Sequence, residues 1–276
     1  MPCRLLVLGG GGRLGRLLQA AARARPDAGS QVTFQSRHAG ADLVWHPDET
    51  VSYLPAADCV VGLWGVTGHE AQDVSQNTTL ARRTAEIAHA LGADVAIHLS
   101  SAAVYGSGRD MDEAHTPCPT NAYGRAKLDM EQAIGSLPDT GVRHWILRLA
   151  NVIGADSLAP GLQGADPVML DRFPNGCGPE RSYITASDVL QVLRALASHS
   201  PEARVELLNV AAPHAVTMDA LARAAGQQII WRAAPDGAAW HVSLSTTRLR
   251  ALLPDLVFHE TPDAMIADWR SLEPAP

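Results

Sequence analysis

Short apolar runs alternate with amphipathic helical stretches through the first two-thirds of the chain. This predicts an α/β protein: a doubly wound parallel sheet carrying a small C-terminal lobe. Three observations carry that class. The run Arg4–Leu8 breaks into glycines, similar runs recur at Asp58–Leu63, Asp94–Leu99 and Val142–Leu149, and helical periodicity fills the gaps. Arg4–Leu8 is continuously apolar rather than alternating, as a strand buried on both faces must be. Arg13–Arg25 follows with Leu14, Leu17, Leu18 and Ala21 at helical spacing and stops at Pro26. Gln31–Gln35 alternates like a second strand and Asp42–Trp45 like a third, with too few residues between them for a crossover helix. Helical stretches over Asn77–Leu91 and Asn121–Ile134 separate the later strands, making residues 1–150 the sheet core. From Asn151 the pattern loosens, punctuated by Pro160, Gly161, Gly164, Pro167, Pro174, Gly176, Gly178 and Pro179. Helices resume at Ser187–Ala197 and Met218–Ala225 around a strand at Val205–Val210, so residues 151–276 form a lobe interleaved with the end of the core.

Composition narrows the function classes. The 276 residues are 46% hydrophobic and 18% charged, a globular balance with enough length for a sizeable core. A net charge of −7 and no basic run argue against a nucleic-acid surface. No apolar stretch reaches the length of a membrane span. Cys3, Cys59, Cys118 and Cys177 show no paired spacing, which reads as reduced thiols in a cytoplasmic protein. The eleven histidines show no metal-ligand spacing, so no metal is expected.

The glycine run that ends the first strand, Gly9-Gly-Gly-Gly12-Arg13-Leu14-Gly15, reads as a phosphate-binding turn. Glycines allow close backbone approach, and the following helix offers unpaired N–H groups to a pyrophosphate. Gly9, Gly12 and Gly15 fit G-x-x-G-x-x-G, while Gly10, Gly12 and Gly15 fit G-x-G-x-x-G, both patterns of dinucleotide-binding (Rossmann) folds. An acidic residue at the end of the second strand would hold the ribose hydroxyls of NAD. Here that end is Gln35-Ser36-Arg37-His38, where Arg37 suits a 2′-phosphate, so NADP is preferred over NAD.

Tyr123-Gly-Arg-Ala-Lys127 follows Ser100-Ser101-Ala-Ala-Val-Tyr-Gly106 by a short polar loop. On a helix, Tyr123 and Lys127 share a face, placing a phenol beside an ammonium. A phenol titrates near pH ~10, and a fixed cation favours its ionised form. With a Ser101 hydroxyl to hold a carbonyl, the set can move a proton to or from a C–O group, half of an alcohol–ketone redox reaction.

On these residues the chain resembles the extended short-chain dehydrogenase/reductases, the NAD(P)-dependent epimerase/dehydratase family. The resemblance runs from Arg4 to at least Asp188 through the glycine turn, Asn77, SSAAVYG, Tyr-x-x-x-Lys and Arg148-Leu-Ala-Asn151-Val-Ile-Gly154. It implies Tyr123 as acid/base, Lys127 lowering its pKa and bonding the nicotinamide ribose, and Ser101 polarising the substrate oxygen. It also implies cofactor contacts from Leu63, Trp64, Gly65, Asn77 and Ser100, with Trp64 standing where a small residue is usual and narrowing the site. Asn151 and Arg181 become substrate contacts, Arg181 meeting a diphosphate, while Arg232 is a weak match for a second arginine. The implied function is an oxidoreductase or epimerase acting on a hydroxyl or keto group of a sugar or nucleotide sugar. The short gap between the second and third strands resembles the family's 4-keto-sugar reductases. Ala102-Ala103 stand where dehydratases carry an Asp-Glu pair, which disfavours dehydration. The competing class is a cofactor-sensing protein of the same fold without chemistry. The family's members often dimerise through the helices holding Asn77 and Tyr123, so a homodimer is compatible.

Overall fold

The computed structural model describes residues 1–66 and 75–273. Its centre is a seven-stranded, wholly parallel sheet. The strands are β1 (Cys3–Leu8), β2 (Ser30–Ser36), β3 (Leu43–Val44), β4 (Cys59–Gly62), β5 (Val95–Ser101), β7 (Arg143–Leu149) and β12 (Val205–Val210). They lie in the order β12-β7-β5-β4-β1-β2-β3. Leu5 pairs with Val32 on one side and Cys59 on the other, so β1 is central and buries side chains on both faces. That double burial is why the inner strands are runs of Leu, Val and Ile. The edge strand β3 needs no such run; it is two residues long and Val44 is exposed.

Helices α1 (Arg13–Ala24), α5 (Ala186–Ala197) and α8 (Pro262–Leu272) cover one face, while α2 (Gln76–Leu91) and α3 (Ala122–Gly135) pack on each other on the second. Leu17, Leu18 and Ala21 of α1 are buried at the spacing that marked the helix. Truncating a fully buried leucine such as Leu18 to alanine costs about 2–5 kcal/mol.

The remainder is built from short pieces. A second sheet of four strands joins β6 (Gly108–Met111), β10 (Glu180–Arg181), β13 (Val216–Thr217) and β15 (His241–Leu244), in the order β13-β10-β15-β6. Two pairs complete it: β8 (Asn151–Val152) with β11 (Tyr183–Ile184), and β9 (Val168–Arg172) with β14 (Ile229–Ala233). Short helices α4 (Ala159–Gln163), α6 (Met218–Ala224) and α7 (Thr247–Leu252) connect them. The region expected to be loops is therefore a second, mostly β, layer whose strands pair across long sequence separations. The last strand of the main sheet, β12, comes from this later part of the chain.

The C-terminal segment returns to the core. Thr261 caps α8 by accepting from Ala264 N–H, and Met265, Ile266 and Trp269 are buried. Buried Asp188 and Asp268 fasten it: His259 Nδ1 lies 2.8 Å from Asp188 Oδ1, and Arg25 Nη2 donates to Asp268 Oδ1 at 2.8 Å. Among the described residues, no helix is long and apolar enough to cross a membrane.

Candidate active site

The carboxyl ends of β1, β4, β5 and β7 converge on the residues that the sequence singles out. At β1 the chain turns through Gly9 with φ +99°, and a Cβ there would lie 2.5 Å from Trp64 N. A Cβ on Gly15 would strike the Gly10 carbonyl oxygen, so only glycine lets α1 sit this close to the turn. By contrast, the space beside Gly12 is open: a Cβ there would meet nothing nearer than Gly9 O at 3.8 Å. Gly12 is the N-cap of α1, no side chain caps it, and the first turn carries no acidic residue. Unclaimed N–H groups, a favourable helix dipole and free space are what a pyrophosphate needs. These residues fit a dinucleotide.

Gln35 explains how the turn keeps its shape. Its Oε1 accepts from Gly9 N at 3.1 Å and its Nε2 donates to the Trp45 carbonyl. Gln35 is thus committed to the turn, and buried Ser36 and exposed Arg37 follow it at the end of β2. Arg13 is exposed and donates through Nη1 to Asp156 O at 3.2 Å, bridging the turn to the loop after β8. Leu14 packs partly buried against the main core.

At the end of β4, Leu63 N and Trp64 N both donate to Leu8 O at 2.9 Å. The Trp64 indole does not project as a wall of the cleft. It stacks on Trp45 at 6.5 Å between centroids and donates to Thr84 Oγ1 at 2.9 Å, so the expected narrowing is replaced by core packing. Gly65 sits against the catalytic candidates: a Cβ there would lie 2.7 Å from Asn77 Oδ1 and 3.5 Å from Lys127 Nζ. Asn77 holds this segment through both ends of its amide, accepting from Val66 N and donating to Val66 O.

Helix α3 begins at the Asn121 N-cap, whose Oδ1 accepts from Gly124 N at 2.8 Å. That cap fixes where Tyr123 and Lys127 emerge. The Ser101 hydroxyl, which accepts from Ala103 N at 3.2 Å, is near enough to the Tyr123 phenol to favour its ionised form. Lys127 is buried, its Nζ lies 5.8 Å from the Tyr123 ring centroid, and it donates to Leu99 O at 2.8 Å. Burial brings the Lys127 ammonium down to about 8, with Glu131 pulling the other way. Burial also raises the Tyr123 phenol above its ordinary value, opposed only by Ser101. The family resemblance implies that Lys127 lowers Tyr123; here burial dominates the phenol, and the Lys127 ammonium is engaged by the Leu99 carbonyl.

Ser100 differs from its neighbour. It is buried, and its hydroxyl donates to Glu131 Oε1 at 2.5 Å, so the side chain serves the interior rather than a cofactor. Arg181 likewise faces protein: Nη1 donates to Glu180 O and Trp240 O at 2.8 Å, and Nη2 to Ala239 O at 2.6 Å. These three bonds use three of its five N–H donors. Arg232 is paired with Asp171 at 2.5 Å across β14 and β9. Asn151, half-buried, pairs with Tyr183 two residues beyond Arg181.

A parallel sheet with a glycine turn after its first strand, Ser101 at the end of β5 and Tyr123 and Lys127 on α3 is an arrangement of the short-chain dehydrogenase/reductase type. The model of the NAD dependent epimerase/dehydratase family matches residues 5–211, and the chain belongs to that family. A curated relative, dTDP-6-deoxy-L-talose 4-dehydrogenase (NAD(P)(+)) of Kitasatospora kifunensis, is 29% identical over 192 residues. That match spans 62% of this chain and 59% of the relative. UDP-glucose 4-epimerase from Brucella ovis in complex with NAD shares the fold with a TM-score of 0.80 at 18% identity, over 96% of each chain. UDP-N-acetylglucosamine 4-epimerase from Methanobrevibacter ruminantium M1 in complex with UDP-N-acetylmuramic acid gives 0.77 at 16% identity, over 99% of this chain and 100% of that one.

Proposed function

We propose that the chain is an NAD(P)-dependent oxidoreductase or epimerase acting at a hydroxyl or keto carbon of a nucleotide sugar, with Tyr123 as the acid/base. The observation that carries this reading is the meeting of Ser101, Tyr123 and Lys127 beside Gly65 and Asn77. When bound, the nicotinamide supplies the hydride acceptor or donor. Gly12 and the start of α1 would hold the pyrophosphate, and Lys127 would bond the nicotinamide ribose. The absence of a carboxylate at the end of β2, together with Ser36 and Arg37, supports NADP over NAD. In the oxidative direction Ser101 orients the substrate hydroxyl and Tyr123 takes its proton. In reduction the same phenol returns the proton to the carbonyl oxygen.

Burial raises the Tyr123 phenol, so without ligand it carries the proton that carbonyl reduction would draw on. The Kitasatospora relative is named for redox at position 4 of a dTDP-sugar. Together these support the narrower reading of a 4-keto-sugar reductase. The remaining Arg181 donors and Asn151 stand on the substrate side.

A panel of nucleotide sugars and 4-keto nucleotide sugars with NADPH, NADP⁺, NADH and NAD⁺ tests the reading, following nicotinamide absorbance and product chromatography. Stoichiometric absorbance change marks a reductase or dehydrogenase, and new product without it marks an epimerase. No product from any member of the panel rejects the proposal in favour of a cofactor-sensing protein.

A further inference from the structure

Among the lysines and arginines of this chain, all but one are arginine. Of the 22, only Lys127 is lysine, and it stands at the candidate active site. Arginine serves for exposed pairs such as Arg4–Asp58 and Arg83–Glu86 and for the buried Arg148–Glu131 pair. A guanidinium stays charged under all these conditions, whereas an ammonium can be tuned by burial and neighbours. What surrounds this single tunable ammonium therefore matters.

Glu131 lies one helical turn beyond Lys127 on the same face of α3. It is buried and held from two strands. Ser100 Oγ of β5 donates to its Oε1 at 2.5 Å. Arg148 of β7 donates from Nε at 3.0 Å and from Nη2 at 2.7 Å, with both side chains at most 6% exposed. Arg148 is itself seated over the Tyr105 ring, 4.7 Å from its centroid, and Tyr105 O–H donates to Asn209 Oδ1 at 2.9 Å. A carboxylate fixed by so many groups cannot swing away when its neighbour changes state.

Among the described residues, the other groups around Lys127 supply no competing negative charge. Tyr123 on its own helix is a neutral phenol, with its pKa raised. His98 of β5 is kept neutral by burial, at about 3, and pairs with His144 of β7, at about 4. Gly65 and Asn77 contribute no charge. On α2, Arg82, Glu86 and His89 are exposed, and Arg83 is turned to the carbonyls of Pro47 and Glu49.

We propose that Glu131 is a positioning residue for the acid/base site, the anchored negative charge that keeps the buried Lys127 as an ammonium at the place where Tyr123 and a cofactor ribose meet. This rests on the functional reading above. Without Glu131, burial acts on Lys127 unopposed and the lysine neutralises at lower pH. Ser100, which seats Glu131, then acts through it rather than on a cofactor.

The single lysine makes the test direct. In protein labelled with ¹³Cε-lysine, Lys127 gives the only lysine signal, whose titration reports its protonation with no substrate present. The wild-type midpoint is expected at about 8. In Glu131→Gln it falls by about one pH unit or more, the size expected of a unit charge one helical turn away. Because Arg148 is left without its partner in that variant, Glu131→Leu with Arg148→Met serves as the second arm; apolar replacement of a buried pair is often neutral for stability. It is expected to keep the fold and show a smaller fall, because the positive charge of Arg148 leaves with the carboxylate. An unmoved midpoint in either folded variant overturns the proposal. Lys127→Ala separates the two claims. If its turnover on a substrate found in the panel stays normal, the functional reading fails; if turnover collapses while the Glu131 variants titrate like wild type, only the role of Glu131 fails.

Discussion

The carboxyl end of the central sheet and the C-terminal lobe are built on different principles. The first is made of four- to seven-residue strands locked in parallel register and helices of twelve or more residues, with its polar side chains bonded to one another. The second uses two- to five-residue strands, and its key arginine is engaged by backbone carbonyls of the 239–240 loop. Proton transfer needs groups held to within a fraction of an ångström, which the sheet end provides. Under the proposed function, substrate choice falls to a layer whose pieces are held pair by pair.

The contrast between the two regions is largest at the glycine turn. Gly9→Ala places a methyl against Trp64 and forces alanine into a left-handed backbone. Cofactor binding should be abolished, with stability lower by at least about 2 kcal/mol. Calorimetric titration with NADPH and a thermal melt check both; wild-type affinity would show that the turn is not the cofactor seat. In the lobe, Arg181→Ala should be milder. Loss of three carbonyl bonds loosens the 239–240 loop, raising KM for a nucleotide sugar about ten-fold with kcat little changed. An equal fall in kcat would place Arg181 in the chemistry rather than the lobe.

Acid and alkali should separate two further regions. His98 and His144 lie within the sheet with pKa values of about 3 and about 4, lowered chiefly by burial. The unfolded chain takes up their protons first, so stability is full above about 6.5 and falls as pH drops toward the folded values. His259, which ties the C-terminal segment to Asp188, is raised by that carboxylate. Its contribution is present below its unfolded pKa and lost as pH rises through the folded one. Melting temperatures across pH 5 to about 8 should show His98→Phe with His144→Leu flattening the acid side, and His259→Gln flattening the alkaline side. The smallest effect belongs to Arg37→Ala, an exposed cation. It should weaken NADPH about five-fold while leaving NADH unchanged; equal losses would remove the argument for NADP.

What the sequence made legible follows the same division. The strand and helix periods placed β1, β5, α1 and α3 to within two residues because each buries a continuous face. The Tyr123 and Lys127 pairing was readable because it is local, four residues on one helix. Glu131 was equally local and passed unread, although it lies one further turn along from the chain's single lysine. The second sheet was not legible, since Gly108–Met111 pairs with His241–Leu244 over more than a hundred residues and neither segment has a period of its own. The inward turn of Ser100, the commitment of Arg181 to carbonyls and the packing of Trp64 on Trp45 depend on such distant partners.

Tyr123 is proposed as the acid/base beside a cofactor site, and every other proposed role follows from it. Turnover and NADPH affinity in Tyr123→Phe, measured side by side on one preparation, address it without intermediaries. Removal of a single hydroxyl should reduce kcat by at least about a hundred-fold while NADPH affinity stays within about three-fold of wild type. A near-normal kcat with unchanged affinity would remove Tyr123 from the chemistry and contradict the assignment.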